Sequence, residues 1–109
     1  MSIRDQKHYP QLPPISVADG LRVNLGVKPY EILKDHLKAD DVILVTEKEI
    51  IDAMQLVFER MKIVIEPSSA TVVAGLLKDN RFKGKNVCCI ISGGNVDLST
   101  YFDFLRSKL

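Results

Sequence analysis

The sequence predicts an α/β fold, part of an open, mostly parallel sheet with flanking helices. Three observations carry that expectation. Residues 42–45 (Val-Ile-Leu-Val) and 87–91 (Val-Cys-Cys-Ile-Ile) are unbroken apolar runs of strand length, the mark of strands covered on both faces. Apolar runs lead into helix-start signals: Thr46 after the first, Pro67 after a shorter run at 63–65, Asp97 after the last. Finally, Ser92-Gly93-Gly94-Asn95 closes the 87–91 run, and glycines there let the backbone turn sharply or lie close to a ligand. Ligands of open α/β sheets sit beyond the carboxyl ends of strands, which is where Ser92 falls.

A chain of 109 residues has room for one domain. Its balance of 46% hydrophobic and 27% charged residues is that of a soluble globular protein. A net charge of +1, with Lys and Arg scattered, gives no electrostatic case for nucleic acid. No apolar run approaches the roughly 18 residues of a membrane span, and residues 1–11 are polar, without the apolar centre of a signal peptide. Cys88 and Cys89 are adjacent, so on a strand they point to opposite faces and suit neither a disulfide nor a metal site. Buried free thiols in a reducing compartment fit better, and the expected location is cytoplasmic.

In chain order, residues 1–16 carry Pro10, Pro13 and Pro14 among polar groups and read as an extended lead-in; residues 17–109 form the domain proper. Gly20 and Gly26 bracket a short segment that periodicity does not classify. Pro29 suits the first position of a helix over 29–38, with Tyr30, Leu33 and Leu37 on one side and His36 a solvated residue. Thr46-Glu47-Lys48-Glu49 is a capping box opening a helix to about Lys62, with Ile50, Met54, Val57, Phe58 and Met61 as its buried stripe. Pro67 suits the first position of a helix over 67–78 that is apolar nearly all round and should be buried. Residues 79–85 form a polar turn. Asp97 then caps a helix with Leu98, Tyr101, Phe102 and Leu105 at helical spacing.

These elements do not make a self-sufficient layer. A stable sheet needs about three or more strands with something packed on them, and a helix apolar on all sides needs neighbours on all sides. The expectation is a chain that supplies part of a larger α/β layer, the rest coming from absent sequence or a partner.

Four stretches, in this order and spacing, carry a resemblance: Val17-Ala18-Asp19-Gly20-Leu21, Thr46-Glu47-Lys48-Glu49-Ile50, Glu59-Arg60-Met61-Lys62-Ile63-Val64-Ile65-Glu66-Pro67-Ser68, and Ile91-Ser92-Gly93-Gly94-Asn95-Val96-Asp97. Together they resemble the C-terminal third of the pyridoxal-phosphate-dependent serine racemase and threonine (serine) dehydratase family, of the tryptophan-synthase-β (fold type II) group. The resemblance covers roughly residues 12–108 and implies a fragment of that group's large domain. It implies pyridoxal 5'-phosphate as cofactor of the complete fold, a small amino-acid substrate, lyase or isomerase chemistry, and a homo-oligomer.

Position by position, Ser92 matches the residue that hydrogen-bonds the cofactor's pyridine nitrogen, with Gly93 beside it. A hydroxyl there, unlike a carboxylate, leaves the ring nitrogen unprotonated and makes the ring a milder electron sink. Gly20 matches a glycine whose backbone lies near the ring, and Glu66 a carboxylate close to the cofactor. Arg60, Lys62 and Asn95 match positions that some eukaryotic racemases use for an activating nucleotide. The family's cofactor-bearing lysine, in a Ser-Phe-Lys-x-Arg-Gly segment, does not occur here, nor do its glycine-rich phosphate loop and metal-binding carboxylates. Ser69 also stands where Gly or Ala is usual. No residue of the chain is therefore expected to be catalytic or metal-binding, and the chain alone is expected neither to hold the cofactor firmly nor to turn over.

Plainer roles stand beside these: Ser92 as a strand cap, Glu66 as a capping or surface carboxylate, Arg60 and Lys62 as solvated charges. A second function class is a non-catalytic interaction module that pairs with a full-length paralogue. A free-standing nucleotide binder is the weakest reading, because the turn lacks the Lys-Ser/Thr that follows the glycines of a P-loop.

Overall fold

The computed structural model describes residues 2–9 and 15–107. Its centre is a helix pair. Thr46 opens α1, the name used below for Glu47–Met61, through the expected capping box: Thr46 Oγ1 accepts from the Glu49 N–H (3.3 Å), and the Glu49 carboxylate accepts from the Thr46 N–H (2.7 Å). Ile50, Ala53, Met54 and Val57 form its buried face, with Phe58 half-buried. Met61, expected as the last rung of that stripe, is exposed, because the helix stops there and Lys62 turns into the left-handed region (φ 59°).

α2, Pro67–Lys78, packs on α1. Pro67 is its first residue, where a missing N–H leaves no bond unmade. Its buried residues are small: Pro67, Ser69, Ala70, Ala74 and Gly75. Small side chains let two helices approach closely, and the core of Ala53, Met54, Ala70 and Ala74 lies where they do. The helix is not buried all round, as its composition suggested; Val72 and Leu77 are exposed.

α3, Leu98–Arg106, is capped by Asp97, whose carboxylate accepts from the Thr100 N–H (2.9 Å). It rests on α1 through Tyr101, which is fully buried, lies edge-on to Phe58, and donates its hydroxyl to the Met54 carbonyl (3.4 Å). Burial raises the Tyr101 pKa. Leu98 and Phe102, expected beside it in the stripe, are exposed, since one neighbouring helix covers only one side of so short an element.

The remaining helix, Val27–His36, is the earliest in the chain. With Gly26 as cap it starts at Val27, two residues before the expected Pro29, which occupies the third helical position, still among the N–H groups without intrahelical partners. Tyr30 is buried and His36 exposed. Residues 2–9 turn back on themselves, with the Lys7 N–H donating to the Ser2 carbonyl (3.2 Å), rather than running straight. His8 anchors them, its ring 5.4 Å from that of Tyr30. The expected extended lead-in around Pro10, Pro13 and Pro14 lies outside the described residues. The polar turn at 79–85 is present, built on a 3-10 turn at Asn80–Phe82 and on Gly84 at φ 74°.

The sheet is the main correction. Among the described residues no strand is formed at 42–45, 63–65 or 87–91. A single backbone hydrogen bond, Glu66 N–H to the Gly93 carbonyl (3.1 Å), links the last two segments near their ends, and one bond is no ladder. Continuous apolar sequence reports burial on two faces, whereas a strand also needs a neighbour about 4.8 Å away along the hydrogen-bonding direction. Residues 43–45 and 87–90 instead line one apolar cleft of about 660 Å³, together with Val72 and Leu76 of α2. The cysteines follow the same correction. Cys88 is exposed and Cys89 half-buried, both free, so they are not the buried thiols expected.

Candidate functional site

Two loops meet at the N-terminal turn of α2, and each is held there by groups at the helix start. Ser69, buried to 1% exposure, accepts from the Ser92 N–H (2.9 Å) and the Gly93 N–H (3.4 Å) through its Oγ. Glu66, the residue before the helix, donates its N–H to the Gly93 carbonyl and takes the Asn95 N–H on Oε2 (3.2 Å). Ser68 Oγ accepts from the Gly20 N–H (3.0 Å). The turn 92–95 and the loop around Gly20 are thus docked on one helix end by four hydrogen bonds to side chains and one to backbone.

The glycines make this approach possible. A Cβ on Gly94 would stand 2.6 Å from the Val64 carbonyl oxygen, closer than carbon and oxygen can pack. A Cβ on Gly20 would stand 2.9 Å from Ser68 Oγ. Gly93 faces the Glu66 carboxylate, both of whose oxygens would lie 3.3 Å from an added Cβ.

Of the residues expected to act together, the structure gathers Gly20, Glu66, Ser92, Gly93 and Asn95. Arg60 and Lys62 are exposed at the C-terminal end of α1, make none of the hydrogen bonds that hold the turn, and among the described residues form no ion pair. Asn95 also borders a second cleft, of about 650 Å³, together with Asp19, Arg22, Asp97, Thr100 and Phe104. The Arg22 guanidinium reaches the Ser16 carbonyl there. Sequence reasoning passed over the two serines that hold the loops. Ser69 registered only as a departure from Gly or Ala, yet it is the buried polar side chain on which the turn depends. The available signal was its place: a hydroxyl in the first turn of a Pro-initiated helix lies next to the amides of whatever loop docks on that helix end.

The donors present fit one edge of a pyridoxal phosphate ring. The Ser92 and Gly93 amides are taken up by Ser69, while Ser92 itself is exposed, so its hydroxyl is the donor left to meet an acceptor such as a pyridine nitrogen.

Comparison with known proteins agrees with that chemistry. Residues 3–93 match the model of the pyridoxal-phosphate dependent enzyme family. The serine racemase of Dictyostelium discoideum is 54% identical over 105 residues, which are 93% of this chain and 31% of that protein. The beta-hydroxyaspartate dehydratase of Paracoccus denitrificans is 43% identical over 86 residues, 78% of this chain and 27% of that protein. Among solved structures, maize serine racemase superposes with a TM-score of 0.80 at 33% identity, covering 99% of this chain and 35% of that one. The chain therefore spans about a third of the length of the relatives it matches, whose complete fold is α/β and uses pyridoxal phosphate. On the family match and on these identities, the chain belongs to the pyridoxal-phosphate-dependent enzymes.

Proposed function

We propose that this chain is part of the large domain of a pyridoxal-phosphate-dependent ammonia-lyase or racemase acting on a small hydroxy amino acid such as serine or threonine. The observation that carries the reading is the docking of Ser92-Gly93-Gly94-Asn95 on Glu66 and Ser69, beside Gly20 on Ser68. In the complete fold the cofactor supplies an electron sink for bond cleavage at the amino-acid α-carbon. Ser92 holds the ring nitrogen through its hydroxyl, Gly20 and Gly93 keep the backbone close, and Glu66 fixes the turn. The runs at 42–45, 63–65 and 87–91 become strands of a mostly parallel sheet once paired. The chain by itself turns over nothing, since its sequence contains no Ser-Phe-Lys-x-Arg-Gly segment. The resemblance to the family implies a homo-oligomeric enzyme, and free Cys88 and Cys89 fit a reducing, cytoplasmic compartment. A second reading, a non-catalytic module that pairs with a full-length paralogue, is favoured by the exposed cleft lined by 43–45 and 87–90.

The test is a chimera in which this chain replaces the matching third of the Dictyostelium serine racemase. It should bind pyridoxal phosphate and consume serine. Within it, Ser92→Ala should cost ~1 to 3 kcal/mol, roughly 5- to 150-fold in cofactor affinity or turnover, because the ring nitrogen is left unpaired in a water-poor site. Asn95→Ala should cost far less. A chimera that folds but holds no cofactor, or a Ser92→Ala variant with normal turnover and only a lowered melting point, would reject the reading.

A further inference from the structure

We propose that Ser69 is a positioning residue for the cofactor site: its side-chain oxygen fixes both peptide groups that flank the Ser92 Cα, and so sets where the Ser92 hydroxyl stands. The inference rests on the reading of Ser92 as the donor to the cofactor ring and adds the residue through which that donor is held.

Ser92 is exposed, and an exposed loop serine left to itself can swing its hydroxyl widely. Three torsions decide where the hydroxyl lies: φ and ψ of residue 92, which direct the Cα–Cβ bond, and χ1, which places the oxygen. The peptide before the Cα is fixed by its N–H, 2.9 Å from Ser69 Oγ. The peptide after it is fixed by the Gly93 N–H, 3.4 Å from the same oxygen, the longer bond of the two. With planar peptides held on both sides, Ser92 keeps only its staggered χ1 wells. Ser69 can anchor them because it is itself immobile, 1% exposed at the third position of α2 and next to Ala70 of the sealed core. A hydroxyl oxygen has two lone pairs, and two amides take them, so toward the turn Ser69 acts as an acceptor alone.

The other holds on the turn do not duplicate this one. Glu66 donates its N–H to the Gly93 carbonyl and takes the Asn95 N–H on its carboxylate, which secures the chain beyond the two peptides that flank Ser92. Ser68 holds Gly20, on the other loop. Among the described residues neither the Ser92 nor the Gly93 N–H has a second partner. Removing the Ser69 hydroxyl therefore frees Ser92 while the turn stays docked.

The experiment is a double-mutant cycle in the Dictyostelium chimera, read by equilibrium titration with pyridoxal phosphate. Ser69→Ala should weaken cofactor binding by about three- to ten-fold. On a Ser92→Ala background the same change should add less than about two-fold, because the hydroxyl it positions is already gone. Ser69→Cys, close in size but a weaker acceptor, should fall between serine and alanine. Amide exchange of the cofactor-free chimera gives a second readout. Ser69→Ala should speed exchange at Ser92 and Gly93 at least about ten-fold and leave Gly20 and Asn95 at the parent rate. Equal losses of affinity on both backgrounds would reduce Ser69 to a structural residue and overturn the proposal. So would faster exchange at Gly20 and Asn95 as well, which would mean that the whole helix end had loosened. Parent-like affinity in Ser69→Ala beside weakened Ser92→Ala would overturn the positioning role alone and leave the family reading standing. Parent-like affinity in Ser92→Ala would instead reject the reading of Ser92 on which the proposal rests.

Discussion

The runs at 42–45 and 87–91 are wholly apolar and the α1–α2 pair only in part, yet it is the pair that is buried. Met54, Ala53, Ala70 and Ala74 are sealed from solvent, whereas Leu44 and Ile90 stand mostly in it. The difference lies in what each kind of element must obtain from outside itself. A helix closes its backbone hydrogen bonds internally and asks its neighbours only to cover one face. A strand must borrow both its hydrogen bonds and its cover. A short chain can therefore complete a helical core while its strand segments stay unpaired. The same apolar residue contributes stability in one region and an interaction surface in the other.

The widest split should come from deleting side chains in the two regions. Met54→Ala opens a hole in the helical core and should cost about 2–5 kcal/mol, read as a shift in the urea midpoint. A cost below about 1 kcal/mol would mean that the helix pair is loosely packed and the contrast is false.

Next in size is the contact that joins the two regions. Gly94→Ala drives a Cβ into the Val64 carbonyl, 2.6 Å away, and should destabilise by about 1–3 kcal/mol. Because the clash sits where the 92–95 turn meets residues 64–66, the Glu66 amide should lose its Gly93 partner and exchange faster. The buried amides of α1 should be little affected.

The helix start gives a smaller and pH-dependent effect. Thr46→Ala should cost about 1 kcal/mol through loss of the cap. The Thr46 N–H, then the Lys78 ammonium, hold the Glu49 carboxyl below its ordinary value of 4.5. Its folded value is the lower of the two, so its stabilisation is complete above about pH 4.5 and fades as pH falls through the folded value. Melting points taken from pH 6 downward should therefore drop in the acid range, and Glu49→Gln should flatten part of that drop. An unchanged acid limb in Glu49→Gln would remove the cap from the account.

The smallest effect is the most diagnostic. Leu44→Ala should change the stability of the chain by less than about 0.5 kcal/mol, as for an exposed position. A loss above about 1 kcal/mol would show Leu44 already packed, and the comparison would fail on its strand side.

Local signals settled much in advance because they act within a few residues. The Thr46 capping box, Pro67 at a helix start, the Asp97 cap and the polar turn at 79–85 all depend on neighbours in the chain. The four motifs also carried the family, because their order and spacing are properties of the chain itself. What depended on distant partners was less legible. Met61, Leu98 and Phe102 kept helical spacing yet found nothing to cover them. Cys88 and Cys89 lay in an apolar run but not in a buried strand.

The candidate site divides along the same line. Ser92, Gly93 and Glu66 could be picked out by motif, but the part Ser69 and Ser68 play in holding them arises only when α2 meets loops 24 and 48 positions away in sequence. Sequence by itself determined where helices begin, where the chain turns and which family it joins, since those follow from local hydrogen bonding and residue order. Tertiary structure alone decided which apolar surfaces are covered and which backbone groups are paired, because both are properties of two segments meeting and neither segment encodes them separately.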